Sequence, residues 1–283
     1  MRDPLLHNFT SEFWANTVDG LTVGSIYALI ALGYTMVYGV LRLINFAHSE
    51  VFISGAFAVY FTLTYLGFSG ADPGLSPIAL VGDLLLAAVA AMVVSGIVAI
   101  ILERVAYRPL RKRNAPPLVF LITAIGASFA IQYIFYAWRG ANAESAVIMF
   151  VPHPIFTVFG TNIDDQQITI VAAAILVMVV VDRFINHSRF GRGIRAVAQD
   201  PDTATLMGVN KERIIMLTFL LGGIGNIRGA MLGGVLIGLI GDYGQTLLGA
   251  SQWSDIIAFV ALVVILMFRP TGVLGESLGK ARV

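Results

Sequence analysis

Residues 84–102 read LLLAAVAAMVVSGIVAIIL and contain no Asp, Glu, Lys or Arg. A helix rises about 1.5 Å per residue, so roughly 20 residues cross a hydrocarbon core ~30 Å thick. This stretch therefore predicts a membrane-spanning helix. The whole chain agrees, because 57% of its 283 residues are hydrophobic and 12% are charged, whereas a soluble domain carries about 25% charged residues. We therefore expect this protein to be embedded in a lipid bilayer.

Six further apolar blocks flank this stretch. They lie at residues 20–41, 51–71, 118–138, 166–181, 214–241 and 250–268. We therefore predict an all-α, polytopic transmembrane helix bundle with about seven crossings, in which residues 1–283 form a single transmembrane domain. The block at 214–241 is cut by Asn226 and Arg228. An arginine at the centre of a span costs several kcal/mol, so this block is expected to be a broken helix.

Positive charges are concentrated in two segments, which hold eleven of the eighteen Lys and Arg residues. They are Arg104, Arg108, Arg111, Lys112 and Arg113 in the first, and Arg183, Arg189, Arg192, Arg195, Lys211 and Arg213 in the second. Segments rich in Lys and Arg stay in the cytoplasm. The distribution therefore predicts two cytoplasmic loops, an N-terminus outside and a C-terminus inside.

Several function classes find no support in the residues. The chain has no cysteine and only four histidines, which are far apart in sequence, so we expect no metal site. The patterns HExxH, GxSxG and GxxxxGK[ST] are absent, and we expect no catalytic residues and no enzyme activity. The net charge of +1 argues against nucleic acid as a partner.

Two polar breaks in the apolar blocks are the candidates for a substrate pathway. The first spans residues 42–50 and contains Asn45 and His48, and the second spans 222–229 and contains Asn226. Broken helices expose backbone groups and helix ends that transporters use to hold polar substrates. The alternative for the first break is an ordinary polar turn between two helices. We assign Asn45, His48 and Asn226 to the pathway.

The second break also contains small residues at regular spacing. Gly225, Gly229 and Gly233 recur every four residues, which on a helix aligns them and allows another backbone to approach closely. These three glycines are therefore predicted to serve helix packing.

The sequence of residues 191–210 predicts a short helix within the second basic segment. Asp200 is a good N-cap, Pro201 suits the first helical position, and Gly208 suits the left-handed residue after the end. Such a helix either lies on the bilayer surface or docks into a groove of a cytoplasmic partner. Its expected exposed residues, Ala204, Thr205 and Met207, are small or apolar, which favours docking.

Several blocks in this chain resemble the LivH-type permease of branched-chain amino acid ATP-binding cassette (ABC) transporters. The matching segments are 21–29 (LTVGSIYAL), 44–48 (INFAH), 103–111 (ERVAYRPLR), 122–126 (ITAIG), 191–208, 222–226 (GGIGN) and 268–272 (FRPTG). The resemblance covers nearly the whole chain and implies a bacterial inner-membrane permease subunit. The implied partners are a second, LivM-like permease, two cytoplasmic ATPases and a periplasmic binding protein that delivers leucine, isoleucine or valine.

The resemblance also implies how energy reaches this chain. The residues Ala198, Asp200, Ala204 and Gly208 are similar to the ATPase-coupling loop of importer permeases. The chain itself is expected to hold no cofactor, and ATP is used by the partner ATPases. A rival hypothesis is a stand-alone secondary transporter or channel in which Glu50, His48 or Asp255 couples to ions. Urea or amides are alternative substrates.

The chain departs from the family pattern at two places. Ser49 stands where the family usually has glycine. In the family, the helix that begins like residues 217–219 continues, and the chain then loops and returns before a motif like residues 223–226. In this chain the two segments are joined directly at residues 220–223. About 40 residues, roughly two crossings of ~20 residues each, are expected to be missing here, and an even number of lost crossings keeps the C-terminus inside.

Overall fold

The fold is almost entirely helical, as expected from the sequence. A computed structural model describes residues 12–41, 45–68, 77–140, 152–221, 227–248 and 254–268. The α-helices of these residues are α1 (Phe13–Leu41), α2 (His48–Tyr65), α3 (Pro77–Leu102), α4 (Arg108–Lys112), α5 (Pro117–Arg139), α6 (Asp165–His187), α7 (Arg189–Gln199), α8 (Pro201–Leu206), α9 (Lys211–Leu221), α10 (Ile227–Leu248) and α11 (Ser254–Phe268). The strands β1 (Pro154–Val158) and β2 (Thr161–Asp164) pair antiparallel in a hairpin that the sequence did not predict.

Within the described residues, four helical segments are long and apolar enough to cross a membrane. They are Phe13–Thr35, Ile78–Lys112, Pro117–Arg139 and Asp165–His187. These segments confirm a multi-pass membrane protein. The count of seven crossings stays a prediction.

The helix that contains residues 84–102 does not end where the charged residues begin. It continues through a π-helical turn, Glu103–Tyr107, into α4. The expectation of a loop in this region is wrong. A proline cannot donate to the carbonyl four residues earlier, and its ring crowds that carbonyl. The wide π turn ends two residues before Pro109, and the chain stays helical through this residue to the end of α4.

Contacts divide the chain into two compact units. The first unit consists of residues 1–36, 152–195 and 224–283. In its core, Ala28 and Leu32 of α1 pack with Ala174, Met178 and Ile185 of α6, and Met231 and Val235 of α10 cover them. The prediction of a single domain over residues 1–283 stays a prediction.

Close packing in the first unit uses glycines other than those expected. A Cβ atom on Gly238 of α10 would lie 2.3 Å from the Cα of Gly24 in α1, so the two backbones are in direct contact. A Cβ on Gly233 would meet nothing within 4 Å in the described chain. Gly225 lies outside the described residues, and the surroundings of Gly229 are not described either. Packing roles for these three glycines stay predictions.

The second unit consists of residues 37–151 and 196–223. Its α2 and α3 are joined by an apolar cluster in which Leu63 and Phe68 pack against Ala87. Phe57 of α2 stacks on Phe135 of α5 with ring centroids 4.7 Å apart. This unit also contains the predicted coupling helix, the helix that follows it and the first polar break.

Candidate functional site

The short helix α8 has the N-terminal cap that the sequence predicts. Oδ1 of Asp200 accepts hydrogen bonds from the backbone N–H groups of Asp202 at 2.9 Å and Thr203 at 3.1 Å. Oδ2 accepts from the Thr203 hydroxyl at 2.5 Å. These bonds, with that of the Thr203 hydroxyl the strongest, lower the pKa of Asp200, because each favours the ionised carboxylate.

The C-terminal end of α8 is also as expected. Gly208 has φ +84°, in the left-handed region that residues with a Cβ rarely adopt. Its N–H bonds to the carbonyl of Thr205, and the N–H of Val209 bonds to the carbonyl of Ala204. The predicted helix, with its N-cap and its terminating glycine, is confirmed.

The exposed face of α8 differs from the prediction. Ala204 was expected at the surface, but it is only 4% exposed, because it lies on the inner side of a helix of less than two turns. Leu206 and Met207 are 87% and 81% exposed. The exposure of Met207 agrees with the sequence prediction, whereas that of Leu206 was not predicted. Ala198, at the end of α7, is half-buried.

Polar contacts attach α8 to the helix that follows it. The Asn210 side chain accepts a hydrogen bond from the N–H of Arg213 at 3.0 Å and thereby caps α9. Lys211 Nζ lies 3.4 Å from Oδ1 of Asp202. The loop between α8 and α9 is therefore short and held at both ends.

An ion network joins α9 to the end of the long membrane helix. Glu212 Oε2 lies 3.4 Å from Nε of Arg108 and 3.1 Å from Nη2 of Arg111. The same Arg111 nitrogen donates to Glu103 of the π turn. The side chains of Glu103 and Arg111 are 2% and 14% exposed. Charges so far from water require close partners, so this network fixes the first turn of α9 against α4 and the π turn.

A second connection runs from the π turn to the first polar break. The Tyr107 hydroxyl donates a 2.6 Å hydrogen bond to Oδ1 of Asn45, which also accepts from the N–H of Ala47 at 3.1 Å. Tyr107 is 2% exposed and Asn45 is 4% exposed. The Tyr107 ring centroid lies 5.2 Å from that of Phe219 in α9. Tyr107 therefore contacts Phe219 in α9 and Asn45, which lies three residues before the start of α2.

The candidate pathway residues are only partly described. Asn45 and His48 lie at the start of α2, where His48 is half-buried. Glu50 is 6% exposed and accepts a hydrogen bond from the Ser128 hydroxyl at 3.1 Å. Asn226 and the side chain of Asp255 lie outside the described residues. The pathway assignment of Asn45, His48 and Asn226 stays a prediction.

Nothing in the described residues suggests metal chemistry. No group of three or more His, Asp or Glu side chains among them could hold a metal ion. The features that the structure does bring together are apolar helices, a capped helix with an exposed apolar tip, and a partly buried ion network. Together they define a polytopic membrane protein.

A family model described as "Branched-chain amino acid transport system / permease component" matches residues 16–224. The chain belongs to this family. It is thus a transport protein and not an enzyme, and the hypothesis of a stand-alone secondary transporter or channel is not favoured.

Relatives support the same family over most of the chain. The chain is 38% identical to the high-affinity branched-chain amino acid transport system permease protein BraD of Pseudomonas aeruginosa, over 92% of this chain and 94% of the relative. It is 34% identical to the LivH permease protein of the corresponding Escherichia coli K12 system, over 93% and 96% of the two chains. A probable LivH permease of Methanocaldococcus jannaschii is 24% identical over 91% of both chains. No solved structure matches the chain.

The alignments also bear on the expected missing segment. The alignment with the Pseudomonas protein runs over 300 positions but contains 92% of the 283 residues of this chain, or about 260. About 40 aligned positions therefore have no counterpart in this chain. The family model's match ends at residue 224, next to the expected junction at 220–223. A single missing segment at residues 220–223 stays a prediction.

Proposed function

We propose that this chain is the membrane-spanning subunit of an ABC importer for branched-chain aliphatic amino acids. The observation that carries the proposal is α8, a capped helix with Leu206 and Met207 exposed at its tip. Two exposed apolar side chains on a short, capped helix within a polar loop suit insertion into a groove of a partner protein. The family and its relatives are named for branched-chain amino acid transport systems, and we assign this partner as an ATPase subunit of such a system.

The complete importer would contain four further components. They are a second, LivM-like permease, two cytoplasmic ATPase subunits and a periplasmic substrate-binding protein. This chain lacks the GxxxxGK[ST] nucleotide-binding pattern, so ATP is bound and hydrolysed by the ATPase subunits. We place the protein in the bacterial inner membrane, with the N-terminus periplasmic and the C-terminus cytoplasmic, because positively charged segments remain in the cytoplasm.

The first mechanical step transmits ATPase movement to α9. A push on Leu206 and Met207 acts on a helix whose N-terminus is fixed by Asp200. The Lys211–Asp202 pair and the Asn210 cap hold the short connection to α9. The two helices therefore move together, and the displacement reaches α9 without being absorbed by a flexible linker.

The second step transmits that movement to the long membrane helix. Glu212 pairs with Arg108 and Arg111, so a shift of α9 pulls on α4 and on the π turn. Phe219 contacts Tyr107 in the same π turn. A π turn within a long helix is a frequent feature of functional sites. We assign the Glu103–Tyr107 turn as the point at which this helix bends.

The third step reaches the substrate pathway. Tyr107 is bonded to Asn45, next to the start of α2, so movement of the π turn alters the polar break. The oxygen of Asn45 is already occupied by Tyr107 and Ala47. We therefore assign its amide nitrogen, with His48 and Asn226, to the polar groups of a zwitterionic substrate. The aliphatic side chain of the substrate suits the apolar surroundings. The pathway then opens to one side of the membrane at a time, so the substrate crosses without being chemically altered.

Reconstitution into vesicles tests this function. Purified complex with both permeases, both ATPases and the binding protein should take up leucine only when ATP is present, and omission of the ATPases should abolish uptake. Collapse of the proton and sodium gradients should leave uptake unchanged. Uptake that persists without the ATPases and requires an ion gradient would instead establish a secondary transporter.

We place the missing segment at residues 220–223. Residues 214–223 supply only about half of a crossing of ~20 residues before the polar break, and the family model's match ends at residue 224, next to this stretch. Transport of leucine at the rate of a full-length relative would show that the missing segment is not required.

A further inference from the structure

A basic cleft lies at the end of the long membrane helix. It is lined by Arg104, Arg108, Pro109, Lys112 and Arg113, which belong to the π turn, to α4 and to its C-cap. Residues 104–113 contain five cations and no acidic residue. We call this feature the basic cleft. Its lining carries four positive charges and no negative charge.

An apolar stripe on the same helix leads to the basic cleft. Ile97, Ile101 and Val105 recur every four residues and are 53%, 54% and 72% exposed. They belong to the membrane-spanning segment Ile78–Lys112. Residues four apart share a helix face, and exposed aliphatic side chains in a membrane helix suit contact with lipid acyl chains. The basic cleft begins where this stripe ends.

Most of the charge in the basic cleft is not neutralised by the protein. Arg108 is paired with Glu212, and Nη2 of Arg104 lies 4.0 Å from the sulfur of Met216. In the part of the chain that the structure describes, Arg104, Lys112 and Arg113 form no ion pair with a carboxylate. Three cations close together repel one another, and a bound anion removes that repulsion.

We propose that the basic cleft binds the headgroup of an anionic phospholipid, whose acyl chains lie along Ile97, Ile101 and Val105. Charge complementarity and the continuity of the apolar stripe with the cations both favour a lipid over a soluble anion. A free phosphate would satisfy the cations but would leave the stripe unused. The site requires only the end of a membrane helix. It does not depend on the orientation of the chain or on the proposed function.

Lipid binding to the purified complex tests this proposal. Native mass spectrometry would count bound phosphatidylglycerol, with phosphatidylcholine as the neutral lipid and inorganic phosphate as the soluble anion. The variant pair is Lys112→Gln/Arg113→Gln, two exposed cations of the cleft. Its matched control is Arg183→Gln/Arg189→Gln, which removes the same charge from exposed positions outside the cleft.

The expected result is a selective loss of phosphatidylglycerol. Each cation near an anionic lipid contributes about fivefold to affinity, so the cleft variant should bind it roughly 25-fold more weakly, while the control variant binds it as the unaltered protein does. Equal losses in both variants, or equal binding of phosphatidylcholine, would overturn the proposal. Displacement of the lipid by millimolar inorganic phosphate would show that the site prefers a soluble anion and would overturn it as well.

Discussion

The hydroxyl of Tyr107 donates a 2.6 Å hydrogen bond to Oδ1 of Asn45, a residue 62 positions earlier in the chain. Both side chains are buried. This bond ties the π turn of the long membrane helix to the polar break before α2. It therefore connects the turn that we propose receives movement from α9 with the break that we propose binds substrate.

Replacement Tyr107→Phe should weaken transport more than stability. The ring keeps its contacts with Phe219 and Phe120, and a buried hydrogen bond contributes about 1 kcal/mol. We expect a several-fold lower rate of ATP-dependent leucine uptake and a small decrease in Tm. The control is Tyr133→Phe, since Tyr133 is 66% exposed and outside this network. Equal uptake by the two variants would contradict the assigned role of Tyr107.

Replacement Arg111→Gln should be strongly destabilising. It leaves the carboxylate of Glu103, which is 2% exposed, without its partner, and removal of one member of a buried pair costs about 3–5 kcal/mol. The measurement is thermal unfolding of the purified protein. The double variant Glu103→Gln/Arg111→Gln should recover part of the loss, because no buried charge remains. Arg183→Gln, at an exposed position, serves as the control. Additive losses in the double variant would show that the two side chains do not act as a pair.

Replacement Asp200→Ala should uncouple ATP hydrolysis from uptake. It removes the acceptor of three hydrogen bonds that fix the start of α8. Asn can also cap, so Asp200→Asn should retain coupling. Because Asp200→Asn removes the same charge but keeps the cap, it also serves as the control for electrostatics. The ratio of leucine transported to ATP hydrolysed is measured. An unchanged ratio in Asp200→Ala would count against a coupling role of this cap.

The cap should be insensitive to pH in the physiological range. The pKa of Asp200 is lowered by its hydrogen bonds, so their stabilisation is fully present above the unfolded value of about 3.9. It is lost as the pH falls through the still lower pKa of the folded state. Hydrogen exchange at the Thr203 amide should show constant protection from pH 5 to 8, after correction for the intrinsic exchange rate. A loss of protection within that interval would refute the assignment.

Replacement Gly208→Ala should impair coupling while insertion continues. A residue with a Cβ at φ +84° costs about 1–2 kcal/mol, which distorts the end of α8. Gly126→Ala is the matched control, because a Cβ there meets nothing within 4 Å and its backbone is helical. Uptake and ATP hydrolysis are measured in vesicles that contain equal amounts of complex. Normal uptake in Gly208→Ala would indicate that the precise ending of α8 is unimportant.

Replacement Leu206→Asp should release the ATPase subunits. Leu206 is 87% exposed, so a polar residue there is tolerated by the fold, whereas it cannot enter an apolar groove of a partner without desolvation. We expect loss of ATPase subunits on co-purification. Ile155→Asp, at a 59% exposed aliphatic position on β1, is the control. Retention of the ATPases in Leu206→Asp would place their docking surface elsewhere.

Features that depend on neighbouring residues were predicted well. A run of apolar residues as long as a bilayer is thick identifies a membrane helix without reference to the rest of the fold. The cap at Asp200 and the left-handed Gly208 follow equally from residue types within one short segment. The burial of Ala204 was mispredicted, because a helix of fewer than two turns has no periodicity from which its inner face can be read.

The sequence by itself thus determined that this protein resides in a membrane, to which family it belongs, and how its short helix is capped. Each of these features is set by composition or by residues close together in the chain. Only the tertiary structure paired Tyr107 with Asn45 and Arg111 with Glu212, and only it brought Gly238 into contact with Gly24. These partners are separated by tens to hundreds of residues. Which of them meet depends on the rotation and depth of each helix, and those are fixed by packing against other helices rather than by local sequence.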